Sequence, residues 1–284
     1  MIVAIVILII SVVASILIYT LTPLVGQWYW FWVPIVLVPV LFEVLGGILI
    51  LCTGFVQIFT DKSKPQAKPS KFVKWLVNEL SFVLFMISNT TIHVTGYDKV
   101  PQNARCLFVS NHTSNFDPIV LFCIYHKRTL VCISKPEIWD IPIAGALAHR
   151  YGFIKINRND AREAIKSINQ AADNLKNDIS DIVIYPEGTR SKTLEMIEFH
   201  HGSFKIATKA EAPIVICSLQ NPYMIAHNAP FKRTHVYLDV LEVLYPEQYK
   251  DMSTGDIAKY VQDKIQKNLD EHANRKVMPK KLRK

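Results

Sequence analysis

The chain is predicted to fold as an α/β domain, a mixed and partly parallel sheet flanked by helices, behind an N-terminal hydrophobic two-helix membrane anchor. Three observations predict it. From residue 91 onward, short β-rich apolar runs alternate with segments of helical period. Glu43 is the only charged side chain in residues 1–60. Clusters of polar residues fall directly after several apolar runs, where open α/β sheets place their sites.

The charge pattern divides the chain first. Its 284 residues are 50% hydrophobic yet carry a net charge of +8. All 32 basic and 23 of the 24 acidic side chains lie beyond residue 60, a net +9 there. Such an excess suits an anionic partner. An apolar segment beside it favours a phospholipid surface over nucleic acid, so no nucleic-acid partner is expected. Five cysteines (Cys52, Cys106, Cys123, Cys132, Cys217) form no Cys-x-x-Cys pair. They read as reduced thiols in a cytosol-facing domain, without the spacing of a zinc site.

Residues 1–21 and 28–59 are each apolar over about the 20 residues that a bilayer crossing needs. Tyr19, Trp28, Tyr29, Trp30 and Trp32 cluster at the turn between them, as amphipathic rings do at headgroup level. Lys62, Lys64, Lys68, Lys71 and Lys74 follow the second run and mark a cytoplasmic flank. The expected anchor is a hairpin over 1–60 with both ends in the cytoplasm, crossing the bilayer or dipping into one leaflet through kinks at Pro34 and Pro39. Residues 61–90 then form a basic linker and a helix over 72–86, with apolar residues at helical spacing. That helix reads equally as lying on the membrane surface or as packing in the core.

Strands are predicted at 91–95, 105–110, 130–134, 153–157, 181–185, 212–218 and 234–243. The clearest helix is 161–175, with Ile165, Ile168, Ala172 and Leu175 on one face and Asp160 and Glu163 as a capping box at its start. A last helix over 256–271 closes the 91–272 domain. A basic tail follows over 273–284 (Arg275, Lys276, Lys280, Lys281, Arg283, Lys284), suited to solvent or to anionic headgroups.

Chemistry concentrates at strand ends. Past the strand at 105–110 comes Asn111-His112-Thr113-Ser114-Asn115-Phe116-Asp117. A carboxylate bonded to one imidazole nitrogen sets the tautomer and leaves the other free to accept a proton. His112 and Asp117 are therefore the expected catalytic pair, a base whose nucleophile comes from the substrate. Past 181–185 comes Tyr185-Pro186-Glu187-Gly188-Thr189-Arg190-Ser191. Here Gly188 admits an unusual backbone, Arg190 offers a fork for phosphate oxygens, and Glu187 either bonds a substrate hydroxyl or holds the loop. Lys135 and Arg158 end two further strands and complete a cationic, phosphate-binding set.

In order and spacing these motifs resemble the glycerolipid acyltransferase family, typified by the 1-acyl-sn-glycerol-3-phosphate (lysophosphatidic acid) acyltransferases. Asn-His-x-x-x-x-Asp is matched by Asn111, His112 and Asp117, and the strand ending in Arg by Phe153 to Arg158. Phe-Pro-Glu-Gly-Thr-Arg-Ser is matched from Tyr185 to Ser191 with Tyr for Phe, and the Pro between apolar strand residues by Pro213. A Phe-x-x-Gly-x-Phe-x-x-Ala pattern recurs at Phe199, Gly202, Phe204 and Ala207. The departures are His201 and Ser203, where a basic residue and Ala are common.

The resemblance implies a glycerol-3-phosphate acyltransferase-like fold and an acyl thioester donor, acyl-CoA or acyl-carrier protein. It implies lysophosphatidate as acceptor at its sn-2 hydroxyl, with phosphatidate as product. No metal or resident cofactor is called for. Lys135, Arg158, Glu187, Gly188, Thr189 and Arg190 would bind substrate. Another lysophospholipid or glycerol 3-phosphate as acceptor, and a lipid hydrolase, are the alternatives. The absence of a Gly-x-Ser-x-Gly elbow speaks against a serine esterase.

Overall fold

The computed structural model describes residues 9–10, 12–13, 16–17, 32–63, 68–157, 160–191 and 193–277. Most of the first apolar run, the aromatic turn, Arg158 and the last basic residues of the tail lie outside them.

Seven strands form one sheet: β1 (Thr90–Thr95), β2 (Leu107–Ser110), β3 (Leu130–Ser134), β4 (Ile154–Lys155), β5 (Asp181–Ile184), β6 (Ile214–Gln220) and β7 (Thr234–Leu244), in the order β1-β7-β6-β2-β5-β3-β4. β6, β2, β5, β3 and β4 are mutually parallel. β7 runs antiparallel to β6, and β1 runs parallel to β7. The mixed, partly parallel sheet expected from the alternation is thus present. Its middle strands are largely apolar because both faces are covered: β2, β5 and β6 are buried throughout.

The two-residue period of the strands sorts their side chains between two cores. Leu107, Val109, Ile182, Ile184, Ile214 and Ile216 face one layer of helices. That layer is α5 (Ala161–Lys176), α6 (Lys205–Ala210) and α9 (Thr254–Glu271). Cys106, Phe108, Val183, Val215 and Cys217 face the other, with α2 (Lys71–Ile87) and α3 (Asp117–Ile124). Three cysteines are buried and all five are free thiols. Further helices among the described residues are α1 (Trp32–Ile58), α4 (Ala144–Tyr151), α7 (Ile225–Asn228) and α8 (Pro246–Tyr249).

Local signals set the helix ends. The Ser253 hydroxyl accepts the Asp256 amide and Asp256 reaches back to the Ser253 amide, so α9 starts with a full capping box. At α5 only half of the predicted box forms. Asp160 accepts the amides of Arg162 and Glu163, but the Glu163 carboxylate accepts from Asn157 Nδ2 at 3.0 Å. The end of β4 offered it a side-chain donor that local spacing did not reveal.

Of the two readings of the 72–86 helix, core packing accounts for its inner face: Val73, Leu76 and Phe85 are buried. Phe72 and Trp75 remain exposed on its outside. The start of the tail also differs from expectation. Arg275 is ion-paired to Asp239 at 2.9 Å and lies over the Tyr237 ring at 4.7 Å, while Lys276 Nζ donates to Leu194 O. Residues 273–277 therefore close onto the domain, held by the buried Asp239 carboxylate and by the Leu194 carbonyl.

α1 is a 27-residue helix, about 40 Å long at 1.5 Å per residue. Leu49 and Val56 dock it against Val73 and Leu76 of α2 and Ala146 and Tyr151 of α4. Ile50, Leu51, Phe55, Ile58 and Phe59 are exposed. Most α1 side chains before Gly46 lie outside the described set, and among the described residues no helix is long and apolar enough to cross a membrane.

Candidate active site

Because β2, β5, β3 and β4 are parallel, the segments that follow them emerge at one edge of the sheet. At about 4.8 Å between neighbours, β2 and β3 stand only about 10 Å apart across β5. The topology thus gathers segments separated by up to some 75 residues of chain.

His112 leaves the end of β2, and the chain turns through 113–116 into α3, whose first residue is Asp117. His112 Nδ1 lies 2.7 Å from Asp117 Oδ2. The same oxygen accepts the amides of Thr113 (2.7 Å) and Ser114 (2.9 Å). Asp117 is fully buried and the His112 side chain is 19% exposed. The turn therefore wraps around the carboxylate, and with Nδ1 bonded to it, Nε2 is the ring atom left to exchange a proton. Asn111, the residue before, points the other way. Its amide donates to Leu219 O (2.9 Å) and accepts from Leu219 N (2.8 Å), so the side chain continues the β2–β6 ladder past the end of the strand.

The segment after β5 clamps this turn. Glu187 is buried, and Oε1 accepts the His112 amide at 2.6 Å while Oε2 accepts the Ile197 amide at 3.0 Å. Burial pushes its carboxyl above the ordinary value, and the two amide donors partly oppose that. Ser191 N donates to His112 O at 3.0 Å, and His200 N to Pro186 O at 3.0 Å. The Tyr185 ring stacks on the His112 imidazole, with centroids 4.3 Å apart and planes 19° from parallel. Its hydroxyl is buried and, among the described residues, has no hydrogen-bond partner.

The structure sorts the expected substrate-binding residues. Thr189 and Arg190 are exposed beside the clamp, and Lys135 is exposed at the end of β3. Arg158 lies outside the described residues. Glu187 is a correction to the reading that it bonds a substrate hydroxyl: both of its oxygens face backbone amides within the protein. Gly188 adopts φ +73, as its expected freedom allows, but its amide donates to Tyr185 O at 3.0 Å and closes the turn. That amide is thus held by the protein and does not point at a ligand.

Two participants escaped sequence reasoning. Tyr185 was visible only as a variant of a motif position, and its stacking on His112 depends on the β2–β5 pairing. A cavity of about 450 Å³ borders Asn111 and Thr113, with Leu194, Met196, Tyr223 and Leu269 in its wall. Its lining comes from four separate stretches of chain and leaves no local signature.

A buried carboxylate orienting an imidazole at the carboxyl edge of a parallel sheet is an arrangement able to work as a general base on an α/β scaffold. Residues 91–220, a little under half of the chain, match the family model described as Acyltransferase. The chain resembles, as its motifs anticipate, proteins named 1-acyl-sn-glycerol-3-phosphate acyltransferases. It is 26% identical over 179 residues to the 1-acyl-sn-glycerol-3-phosphate acyltransferase of Haemophilus influenzae, a match covering 61% of this chain and 73% of that one. Against the Saccharomyces cerevisiae protein of the same name it is 27% identical over 193 residues, 66% of this chain and 63% of the yeast protein. The match therefore spans less than two thirds of that relative. Among solved structures, the 1-acyl-sn-glycerophosphate acyltransferase of Thermotoga maritima shares the fold with a TM-score of 0.61 at 22% identity, covering 82% of this chain and 90% of that one.

Proposed function

We propose that the protein transfers an acyl group from an acyl thioester, acyl-CoA or acyl-carrier protein, to the sn-2 hydroxyl of lysophosphatidate, producing phosphatidate for phospholipid synthesis. The observation that carries this reading is the 2.7 Å bond between His112 Nδ1 and a buried Asp117 oxygen that two further amides hold in place. It sets the tautomer of the neutral ring, with the proton on Nδ1, and leaves Nε2 as the atom able to accept a proton.

In the proposed reaction Nε2 takes the sn-2 hydroxyl proton as the oxygen attacks the thioester carbonyl. The tetrahedral intermediate collapses with loss of the C–S bond, and the proton on Nε2 passes to the departing thiolate. Asp117 stabilises the imidazolium between the two transfers. General-base help of this kind contributes about 10²–10⁴-fold in rate. Arg190 and Lys135, exposed at neighbouring strand ends, meet the acceptor phosphate, with Arg158 as a third cation and Thr189 beside them. The amides of His112, Thr113, Ser114, Gly188 and Ser191 are already engaged, so groups other than these stabilise the oxyanion. The cavity beside Asn111 and Thr113 gives the substrates room on that side of the dyad. No step draws on a metal or resident cofactor.

The same reading places the enzyme at a membrane, its domain on the cytoplasmic side and its N-terminal apolar runs in lipid. The exposed apolar side chains of α1 and the lysines after it support that placement. A lipid-embedded acceptor would then reach the site without leaving its plane. The test is an assay of purified protein that crosses acyl-CoA and acyl-carrier-protein donors with lysophosphatidate, other lysophospholipids and glycerol 3-phosphate. His112→Ala is expected to abolish transfer, and Arg190→Ala to raise the acceptor KM. Normal transfer by folded His112→Ala would remove the dyad from the mechanism.

A further inference from the structure

We propose that the loop after β3, residues 136–143, inserts into the headgroup–acyl boundary of an anionic phospholipid membrane as a contact separate from α1. The inference rests on the reading of α1 as lipid-facing and goes beyond it, because it assigns a second, sequence-distant element to the same surface.

Ile138, Ile141 and Ile143 stand 36%, 51% and 38% exposed within six residues of one another. A group of exposed isoleucines is a poor water-facing surface and a good lipid-facing one. The chain holds them there against its own preference. Ile143 has φ +63, a region that a β-branched residue rarely adopts. What keeps it in place is contact with the end of α1: its amide donates to Gln57 Oε1 at 2.9 Å, and Lys62 Nζ donates to Trp139 O at 2.6 Å. On the other side the loop lies so close to the start of α4 that a Cβ on Gly145 would come within 2.3 Å of Trp139 O.

Gln57 and Lys62 are also where α1 stops being apolar. They bracket exposed Ile58 and Phe59 and mark the depth at which a lipid-embedded helix meets headgroups. A loop bonded to both residues sits at that depth. Lys62, bonded to the loop, and Lys135, next to it in the chain, are exposed and supply positive charge there, against Asp61, Glu137 and Asp140, with exposed Lys68 and Lys71 following in the linker. Burial of the isoleucines would drive the contact, and the lysines would bias it to anionic lipid. Lys135 joins the end of β3 to the loop, so insertion would hold the catalytic edge of the sheet against the headgroup plane.

The full chain with Cys52→Ser and Cys123→Ser leaves only buried native thiols. In this background a nitroxide is placed at Ile141→Cys, or at Leu51→Cys on α1 as a reference, and the protein is reconstituted in phosphatidylcholine–phosphatidylglycerol vesicles. Collisions with dissolved oxygen should exceed those with a water-soluble nickel chelate severalfold at both positions. If the chelate dominates at 141 while 51 reports lipid, the loop is not inserted and the inference is overturned with the α1 reading intact. If both report water, the α1 reading falls as well. Exclusion of both reagents at 141 would mean that a protein surface, a second copy or a partner, covers the loop, and would also overturn it. Independently, Ile138→Ser, Ile141→Ser and Ile143→Ser combined should weaken vesicle binding about tenfold or more. Unchanged binding would count against the proposal.

Discussion

His112 Nδ1 and Asp117 Oδ2 are 2.7 Å apart, and that one carboxylate oxygen also accepts the amides of Thr113 and Ser114. Asp117 thus builds the turn that carries the imidazole as well as orienting the ring itself. The two jobs separate under substitution. Asp117→Asn keeps an oxygen able to accept the two amides but no longer stabilises the imidazolium. The expected result is a drop of about 10²-fold or more in kcat with little loss of stability, read from initial rates and thermal unfolding. Asp117→Ala strands the buried amides as well and should cost about 1–3 kcal/mol of stability for each.

Tyr185 offers a sharper contrast. Its ring lies flat on His112 while its hydroxyl is buried unpaired. Tyr185→Phe removes an unsatisfied polar group and keeps the ring, so the variant should be as stable as the parent or more stable by about 1 kcal/mol, with activity retained. Tyr185→Ala loses the stack and leaves a cavity. It should destabilise by about 3–5 kcal/mol and lower kcat. A Phe variant markedly less stable than the parent would show that the hydroxyl is satisfied in solution.

Glu187 gives a pH signature. Burial raises its carboxyl above the ordinary 4.5, so the folded chain holds this proton more tightly than the unfolded one. The stability it contributes is therefore fully present below the unfolded value and declines as pH rises through the raised folded value. Glu187→Gln cannot titrate, so its unfolding midpoint should lack this decline. The gap between parent and variant should change across that interval and be flat at higher pH. At neutral pH the Gln amide presents a donor to either the His112 or the Ile197 amide, which should also loosen the turn and lower kcat.

At the far edge of the sheet, Asp181 is buried and binds Arg128 through both oxygens, at 2.5 and 3.0 Å, with Arg105 at 3.4 Å and the Cys106 amide at 2.9 Å. Removing the carboxylate leaves Arg128 partly buried beside no counter-charge. Asp181→Ala should cost about 3–5 kcal/mol in stability. Because it lies at the opposite end of β5 from the dyad, the acceptor KM of the surviving folded protein should not change.

Much of this molecule is written in local pattern. Seven strands and the helices at 71–87, 161–176 and 254–271 follow from apolar period and capping residues, with ends shifted by a few residues. The dyad too was legible, because His112 and Asp117 are five residues apart and one turn joins them. What local pattern could not decide depended on contacts between distant segments. For Glu187 the sequence leaves open whether it bonds a substrate hydroxyl or holds the loop, since nothing nearby in the chain reveals that the His112 and Ile197 amides need acceptors. Arg275 and Lys276 read as tail residues because Asp239 and Leu194 O lie far away in sequence. Period and capping act over a few residues and are set by backbone sterics and one-sided burial. Which polar group ends up facing substrate is set by the sheet order β6-β2-β5-β3-β4, which brings remote amides and carboxylates within bonding distance and leaves only the remainder free to do chemistry.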